Sequence, residues 1–169
     1  SVPLRGGLFH LEIRESAPFL VFSGPMRRSS AVLLTRPRGG RHEVFLVERS
    51  PDLRFFGGYW AFPGGGVSRV DHAAVEALPA LDGPEAASIA CIMREMSEEL
   101  GLAASGDGAV LLRPDDRQAI VDDKTQWLPL AKAGSFPVDR TRIRTLSHRI
   151  TPPFGPVQFD NAFLHLHLG

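Results

Sequence analysis

Residues 94–102 read Arg94-Glu95-Met96-Ser97-Glu98-Glu99-Leu100-Gly101-Leu102, and the fold and the chemistry both follow from how this stretch is read. As a helix it projects Glu95, Glu98 and Glu99 at i, i+3 and i+4 from one face. Like charges so placed cost a bare helix roughly 0.2–0.5 kcal/mol per pair, so the face needs either full solvation or a cation. Ile89, Met93, Met96 and Leu100 fall at helical spacing on a second arc. The helix can therefore bury one side and hold its acids at the edge of a cleft. Gly101 is placed to end it as a left-handed C′ residue.

An acidic face of this kind is ordinarily just solvated. Here the flanking residues narrow the reading. Arg94 before the first glutamate, apolar Met96, then Gly101 and Leu102 match every specified position in the second half of G-x5-E-x7-R-E-U-x-E-E-x-G-U, where U is apolar. The chain thus resembles a Nudix hydrolase. The resemblance implies an α/β fold, an α/β/α sandwich around a mixed β-sheet, over residues 29–169; residues 1–28 read as an N-terminal extension whose two short apolar segments suit a hairpin or an edge extension. It also implies that Glu95, Glu98 and Glu99, with a backbone carbonyl of Gly64 or Gly65, hold divalent metal, and that Arg94 and Glu98 serve catalysis. Ligands that are all oxygen favour Mg²⁺ or Mn²⁺.

The first half of the pattern departs from the family. Counting back from Arg94 at the family spacing places the glutamate on Ala86 and the glycine on Ala80. The glycines lie earlier, at 64 to 66, so residues 67–82 read as an inserted surface loop outside the metal site. Glu85 reads as part of a capping box opened by Asp82. This leaves Arg94 without its customary carboxylate partner.

A second informative stretch runs from Arg49 to Gly66. Arg49, Ser50, Arg54, Gly58 and Phe62-Pro63-Gly64-Gly65 resemble the segment that precedes the box in the coenzyme A diphosphatases of the family, although Phe45-Leu46-Val47 replaces its leading L-L-T. The resemblance makes Arg49, Arg54 and Gly58 substrate-binding residues, with planar guanidinium forks suited to phosphate oxygens. Phe55, Phe56, Tyr59 and Trp60 read mostly as sheet packing, with base stacking as the alternative.

The composition agrees with one domain acting on small molecules. The 169 residues are 43% hydrophobic and carry 19 basic and 19 acidic side chains. This is enough apolar mass for a core, and the balance of charge favours neither nucleic acid nor an anionic membrane as partner. Cys91 is the single cysteine; it excludes an intrachain disulfide and, with no apolar run near 18 residues, gives an expectation of a cytoplasmic protein.

Elsewhere, residues 31–34 and 43–47 read as a hairpin at the sheet centre turned by Pro37-Arg38-Gly39-Gly40. Residues 103–109 read as a loop and residues 117–133 as helix until Pro129. Residues 144–150 and 157–168 read as strands, and Trp127 as core. His165 and His167 alternate onto one strand face without a third zinc ligand nearby. The last strand ends without the helix that closes the usual sandwich, so the expectation is a truncated domain, followed by a further domain in a longer protein. A homodimer is also compatible.

The expected function is hydrolysis of a diphosphate linkage in a nucleotide derivative, best coenzyme A or acyl-coenzyme A, with Glu98, Asp115 or Asp116 as the base. Two alternatives stay open: a pyrophosphohydrolase for nucleotide sugars, ADP-ribose or nucleoside triphosphates, and a noncatalytic Nudix-like sensing or interaction module.

Overall fold

The computed structural model describes residues 26–52, 57–152 and 158–168. The expected N-terminal hairpin, Arg54, Phe55 and Phe56 lie outside the described residues. The organising strand is β1, Arg27–Arg38. Its alternation puts Ser30, Val32 and Leu34 at 2%, 0% and 1% exposure on one face, the two-residue period of a strand with one side in the core. β1 turns through Gly39 and Gly40, both at positive φ, into β2, Arg41–Val44, in antiparallel register. The predicted hairpin is present, with β2 at the sheet edge rather than the centre.

β3, Val47–Glu48, and β4, Trp60–Ala61, pair with each other. β5, Gly64–Gly66, returns to β1, antiparallel, at Ser29, Ser30 and Ala31. The far edge of β1 pairs in parallel with β9, Phe159–His167, whose outer neighbour is antiparallel β8, Ile143–Ile150. The result is a mixed sheet. Tyr59 and Trp60, each 65% exposed, do not pack on it as the sequence reading expected, because β3 and β4 form their own ribbon outside the main sheet.

Residues 67–82 are not a surface loop. They form α1, Arg69–Ala77, and bury Asp71, Ala74 and Leu81 at 0%, 0% and 1% exposure. The helix begins at a capping box in which the Asp71 carboxylate accepts from the Ser68 backbone amide at 2.7 Å and its hydroxyl at 2.9 Å. Such caps satisfy the orphan amides of a first turn. The capping box read at 82–85 is absent: Glu85 makes no side-chain cap to α2, Ala86–Glu95. It faces His148 at 3.3 Å and Arg28 at 3.7 Å instead, while Asp82 reaches Arg140 at 3.3 Å. Tertiary charge partners outcompete the local cap.

α2 lies on β1 and β5, and α1 lies on α2. Ile89, Ile92, Met93 and Met96 meet Val32, Leu34, Leu164 and Leu166 in one core cluster. Residues 103–109 lie in a hairpin rather than a loop, β6 Leu102–Ser105 and β7 Gly108–Leu111. The remaining helices are α3, Pro114–Asp122, and α4, Trp127–Lys132. Pro129 does not stop a helix; it sits in the first turn of α4, where a missing N–H costs nothing. Trp127 is 1% exposed in the core and donates its indole N–H to Ser97 Oγ at 3.1 Å. No helix of the described residues is long and apolar enough to cross a membrane.

Candidate active site

The glutamates of residues 94–102 straddle a change of helix type. α2 ends at Glu95 and Met96–Leu100 continue as a π-turn, a form common at functional sites. Gly101, at φ 66°, closes it. Arg117 from α3 caps the freed carbonyls, donating to Glu98 O at 3.4 Å and Glu99 O at 2.9 Å. These contacts satisfy the acceptors that a helix end leaves open.

Arg94 organises the site. It is 2% exposed and its fork grips Asp71 through Nε–Oδ1 at 2.8 Å and Nη2–Oδ2 at 3.2 Å. Nη2 also reaches Glu95 at 2.9 Å and the Gly66 carbonyl at 3.3 Å, and Nη1 reaches Glu98 at 3.3 Å. Burial opposes its charge, but the hydrogen bonds to Asp71 and the fields of Glu95 and Asp71 hold its pKa above its ordinary value. The expectation of an Arg94 without a carboxylate partner is therefore corrected. The partner is Asp71, and the sequence does carry its signal: Gly65, five residues, then an acid, the first half of the family pattern with Asp in place of Glu. The extra length falls after Asp71, within the span that is seven residues in the family pattern.

Glu99 turns toward the glycine strand, accepting from the Gly64 amide at 3.3 Å. Although the residue is exposed, its carboxyl end is desolvated and sits beside Glu95 and Glu98. Those effects push it up to about 7, against the pull of the Gly64 amide and of Arg49. Burial and the neighbouring Glu98 raise Glu95 as well, against the charge of Arg94. A Cβ on Gly65 would push the Glu95 carboxylate aside, and one on Gly64 would collide with the Ser30 backbone carbonyl. The Gly65 carbonyl accepts from the buried Cys91 thiol at 3.6 Å. Burial, then Asp71, pushes that thiol up to about 12, so Cys91 is an inert packing group.

The three glutamates are each held separately, two by Arg94 and one by Gly64. No group of three or more His, Cys, Asp or Glu stands in metal-binding geometry among the described residues. The donor chemistry nevertheless suits a hard cation. Asp71, Glu95 and Glu98 surround the Arg94 guanidinium and Glu99 lies beside Glu95 and Glu98; ionised together, the four acids leave three negative charges against Arg94, and every donor is oxygen.

Beside the glycine strand opens a cleft of about 490 Å³, lined by Ser29, Ala31, Arg49, Phe62, Gly64 to Gly66, Asn161 and Phe163 among others. Arg49 lines this cleft, and its buried Nε has no hydrogen-bond partner among the described residues. Gly58, at φ 75°, donates its amide to the Arg49 carbonyl at 2.9 Å; it shapes the turn that carries Arg49 and does not line the cleft. Of the base candidates, Asp116 is 8% exposed and 3.9 Å from Arg113; Asp115, Asp116 and Glu98 all lie outside the cleft lining, and of the three Glu98 alone contacts Arg94. Asn161 and Phe163 were missed because residues distant in sequence meet only through β1–β9 pairing, whereas Phe62 belongs to the segment already singled out before the box.

A buried Arg–Asp pair thus steadies a row of glutamates beside a glycine strand, and comparison with known proteins identifies the family that carries this fold. A family model, NUDIX domain, matches residues 25–127. The chain belongs to the Nudix family and is a hydrolase of that class, whose members generally use divalent cations. Among solved structures, it is similar to a NUDIX hydrolase from Alicyclobacillus acidocaldarius, at 23% identity and TM-score 0.71, covering 86% of this chain and 71% of that one. The NUDIX domain of Shewanella oneidensis NrtR, crystallised with ADP ribose, aligns at 13% identity and TM-score 0.44, and the M. smegmatis Nudix hydrolase RenU at 18% and 0.41. Each covers 85% of this chain and is spanned over 61% of its own length. A search of curated proteins finds no match. The fold expected from residues 94–102 is therefore present: a Nudix fold of the α/β class with a mixed sheet.

Proposed function

We propose that the protein hydrolyses the diphosphate linkage of a nucleotide derivative, with coenzyme A or an acyl-coenzyme A as its best substrate and Mg²⁺ or Mn²⁺ as its cation. The observation that carries this reading is the Asp71–Arg94 pair, which is buried on both sides and holds Glu95 and Glu98 beside the glycine strand that also borders the cleft.

Glu95, Glu98 and Glu99 would hold the cation, with a carbonyl of Gly64 or Gly65 as a further ligand. When bound, a divalent ion neutralises phosphate oxygens and makes water more acidic. The residues do the rest. Arg94, locked by Asp71, keeps Glu95 in place beneath Gly65. Arg49 brings to the cleft a guanidinium whose buried Nε is unpaired among the described residues, suited to pairing with phosphate oxygens. Glu98, whose side chain is 34% exposed and held only at 3.3 Å, is the group free to accept the proton of the attacking water. The preference for coenzyme A rests on Arg49, Ser50, Arg54, Gly58 and the Phe62 to Gly65 run.

The test is a Mg²⁺-dependent hydrolysis screen over coenzyme A, ADP-ribose, nucleotide sugars and nucleoside triphosphates, with products identified by mass. The expected products from coenzyme A are 4′-phosphopantetheine and adenosine 3′,5′-bisphosphate. Glu98→Gln should lower turnover by on the order of 10²-fold while the protein stays folded. Cleavage of ADP-ribose or a triphosphate with coenzyme A untouched would replace the substrate. No cleavage of any of them by folded, metal-loaded protein would leave a sensing module.

A further inference from the structure

The turn that carries Glu98 and Glu99 is held from outside by one side chain. Within Met96–Leu100 the Gly101 amide bonds back to the Met96 and Ser97 carbonyls, so the peptide carbonyls of Glu98 and Glu99 are left over, as the last acceptors of a helix are. Arg117 of α3 reaches both: Nη2 donates to Glu99 O at 2.9 Å and Nε to Glu98 O at 3.4 Å. Its stem crosses Gly101, where an added Cβ would meet Arg117 Cδ at 2.8 Å. The glycine therefore serves twice, taking the left-handed φ that closes the turn and leaving the gap through which the guanidinium arrives.

From this geometry we infer that Arg117 is a positioning residue for the hydrolysis: it fixes the backbone of Glu98 and Glu99 so that both carboxylates face a divalent cation, a reading that rests on the cation role given to them above. The carboxylates themselves are loosely tied. Glu98 meets Arg94 at 3.3 Å and Glu99 meets the Gly64 amide at 3.3 Å, both longer than a strong N–H···O bond, so their places depend on where their peptides stand. Arg94 binds Glu98 by its carboxylate and competes with a cation for it. Arg117 grips Glu98 and Glu99 by their carbonyls and leaves the carboxylate oxygens to a ligand. A charged donor strengthens such bonds, and the partial negative charge at a helix C-terminus favours a guanidinium there. The fold has little need of it. Arg117 is exposed, and α3 is anchored in the core by Ile120 at 0% exposure.

Calorimetric titration with Mn²⁺ in the absence of substrate, and amide hydrogen exchange of the metal-free protein, read this role apart from turnover. Arg117→Met keeps the stem over Gly101 and removes the donors. It should bind Mn²⁺ at least about 5-fold more weakly, the scale of one charge-assisted hydrogen bond discounted for exposure. Exchange of the Gly64 amide, whose acceptor is the Glu99 carboxylate, should quicken by a similar factor, while the thermal melt falls by no more than about 4 °C. Arg117→Lys keeps the charge without the fork and should lie between Arg117→Met and the wild type. Wild-type Mn²⁺ affinity and Gly64 exchange in Arg117→Met would make the residue a structural cap and overturn the assignment. Arg117→Lys equal to the wild type would leave charge alone at work and overturn the two-carbonyl bridge. A wild type that binds no Mn²⁺ removes the cation reading instead, and Gly64 exchange then decides whether Arg117 sets the acids.

Discussion

Replacing Asp71 by Asn tests the centre of the argument because it keeps shape and removes charge. Asp71 is 0% exposed and Arg94 2%, and two hydrogen bonds of 2.8 and 3.2 Å join them. Breaking a buried ion pair typically costs about 3–5 kcal/mol, because the surviving charge remains desolvated. Arg94 keeps Glu95 at 2.9 Å and Glu98 at 3.3 Å, which moves the expectation to the lower end, ~3 kcal/mol. For a chain of this length that corresponds to a fall in Tm of roughly 6–12 °C. The released guanidinium should also bind Glu95 and Glu98 more tightly, so Mg²⁺ affinity and turnover should fall together. Urea and thermal unfolding of wild type, Asp71→Asn, Arg94→Met and the double variant, all metal-free, supply the cycle. Coupling of about 2 kcal/mol or more is expected. A single-variant loss below about 1 kcal/mol, the scale of an exposed pair, would refute the claim that this pair holds the site.

Gly65→Ala should force the Glu95 carboxylate aside and lower turnover by about 10-fold or more, whereas Gly66→Ala, with nothing within 4 Å of an added Cβ, should be silent; equal activity of both in a steady-state assay would contradict the geometry. The metal-free protein should lose stability as pH rises from about 5 to 8. Glu99, raised to about 7, binds its proton more tightly folded than unfolded, so its stabilising effect is complete below its unfolded pKa and lost as pH passes 7. His148, raised by Asp160, acts in the same direction, and His165, lowered by burial, opposes it. Urea midpoints of wild type and Glu99→Gln in EDTA isolate the glutamate: the downward slope should flatten in the variant, and an unchanged slope would rule Glu99 out. Trp127→Phe should cost about 1–3 kcal/mol in urea unfolding by removing the indole donor to Ser97 Oγ, which keeps its own bond to the Met93 carbonyl at 2.9 Å, and by shrinking the core contact; no loss would mean the indole hydrogen bond is inconsequential.

The sequence by itself determined the parts that local spacing encodes. Residues 94–102 carry the reaction class because three glutamates, an arginine and a closing glycine sit within two turns, where helical period alone sets which side chains are neighbours. The alternation of residues 30–34, the glycine turn at 39 and 40, and the late strands were legible for the same reason. Tertiary structure decided what joins the parts. The Gly65-x5-Asp71 spacing offers Asp71, but packing of α1 on α2 decides that this acid, 23 residues before Arg94, is its partner, since the span between them is not the family's while a buried charge still demands a counter-charge. Packing likewise turned residues 67–82 from an expected loop into a buried helix and drew Glu85 to His148 and Arg28 in place of a local cap. The cleft is the extreme case. Ser29 and Asn161 are 132 residues apart, and nothing in either neighbourhood announces the other, because a parallel strand pair forms through long-range backbone hydrogen bonds that leave no periodic trace in the chain.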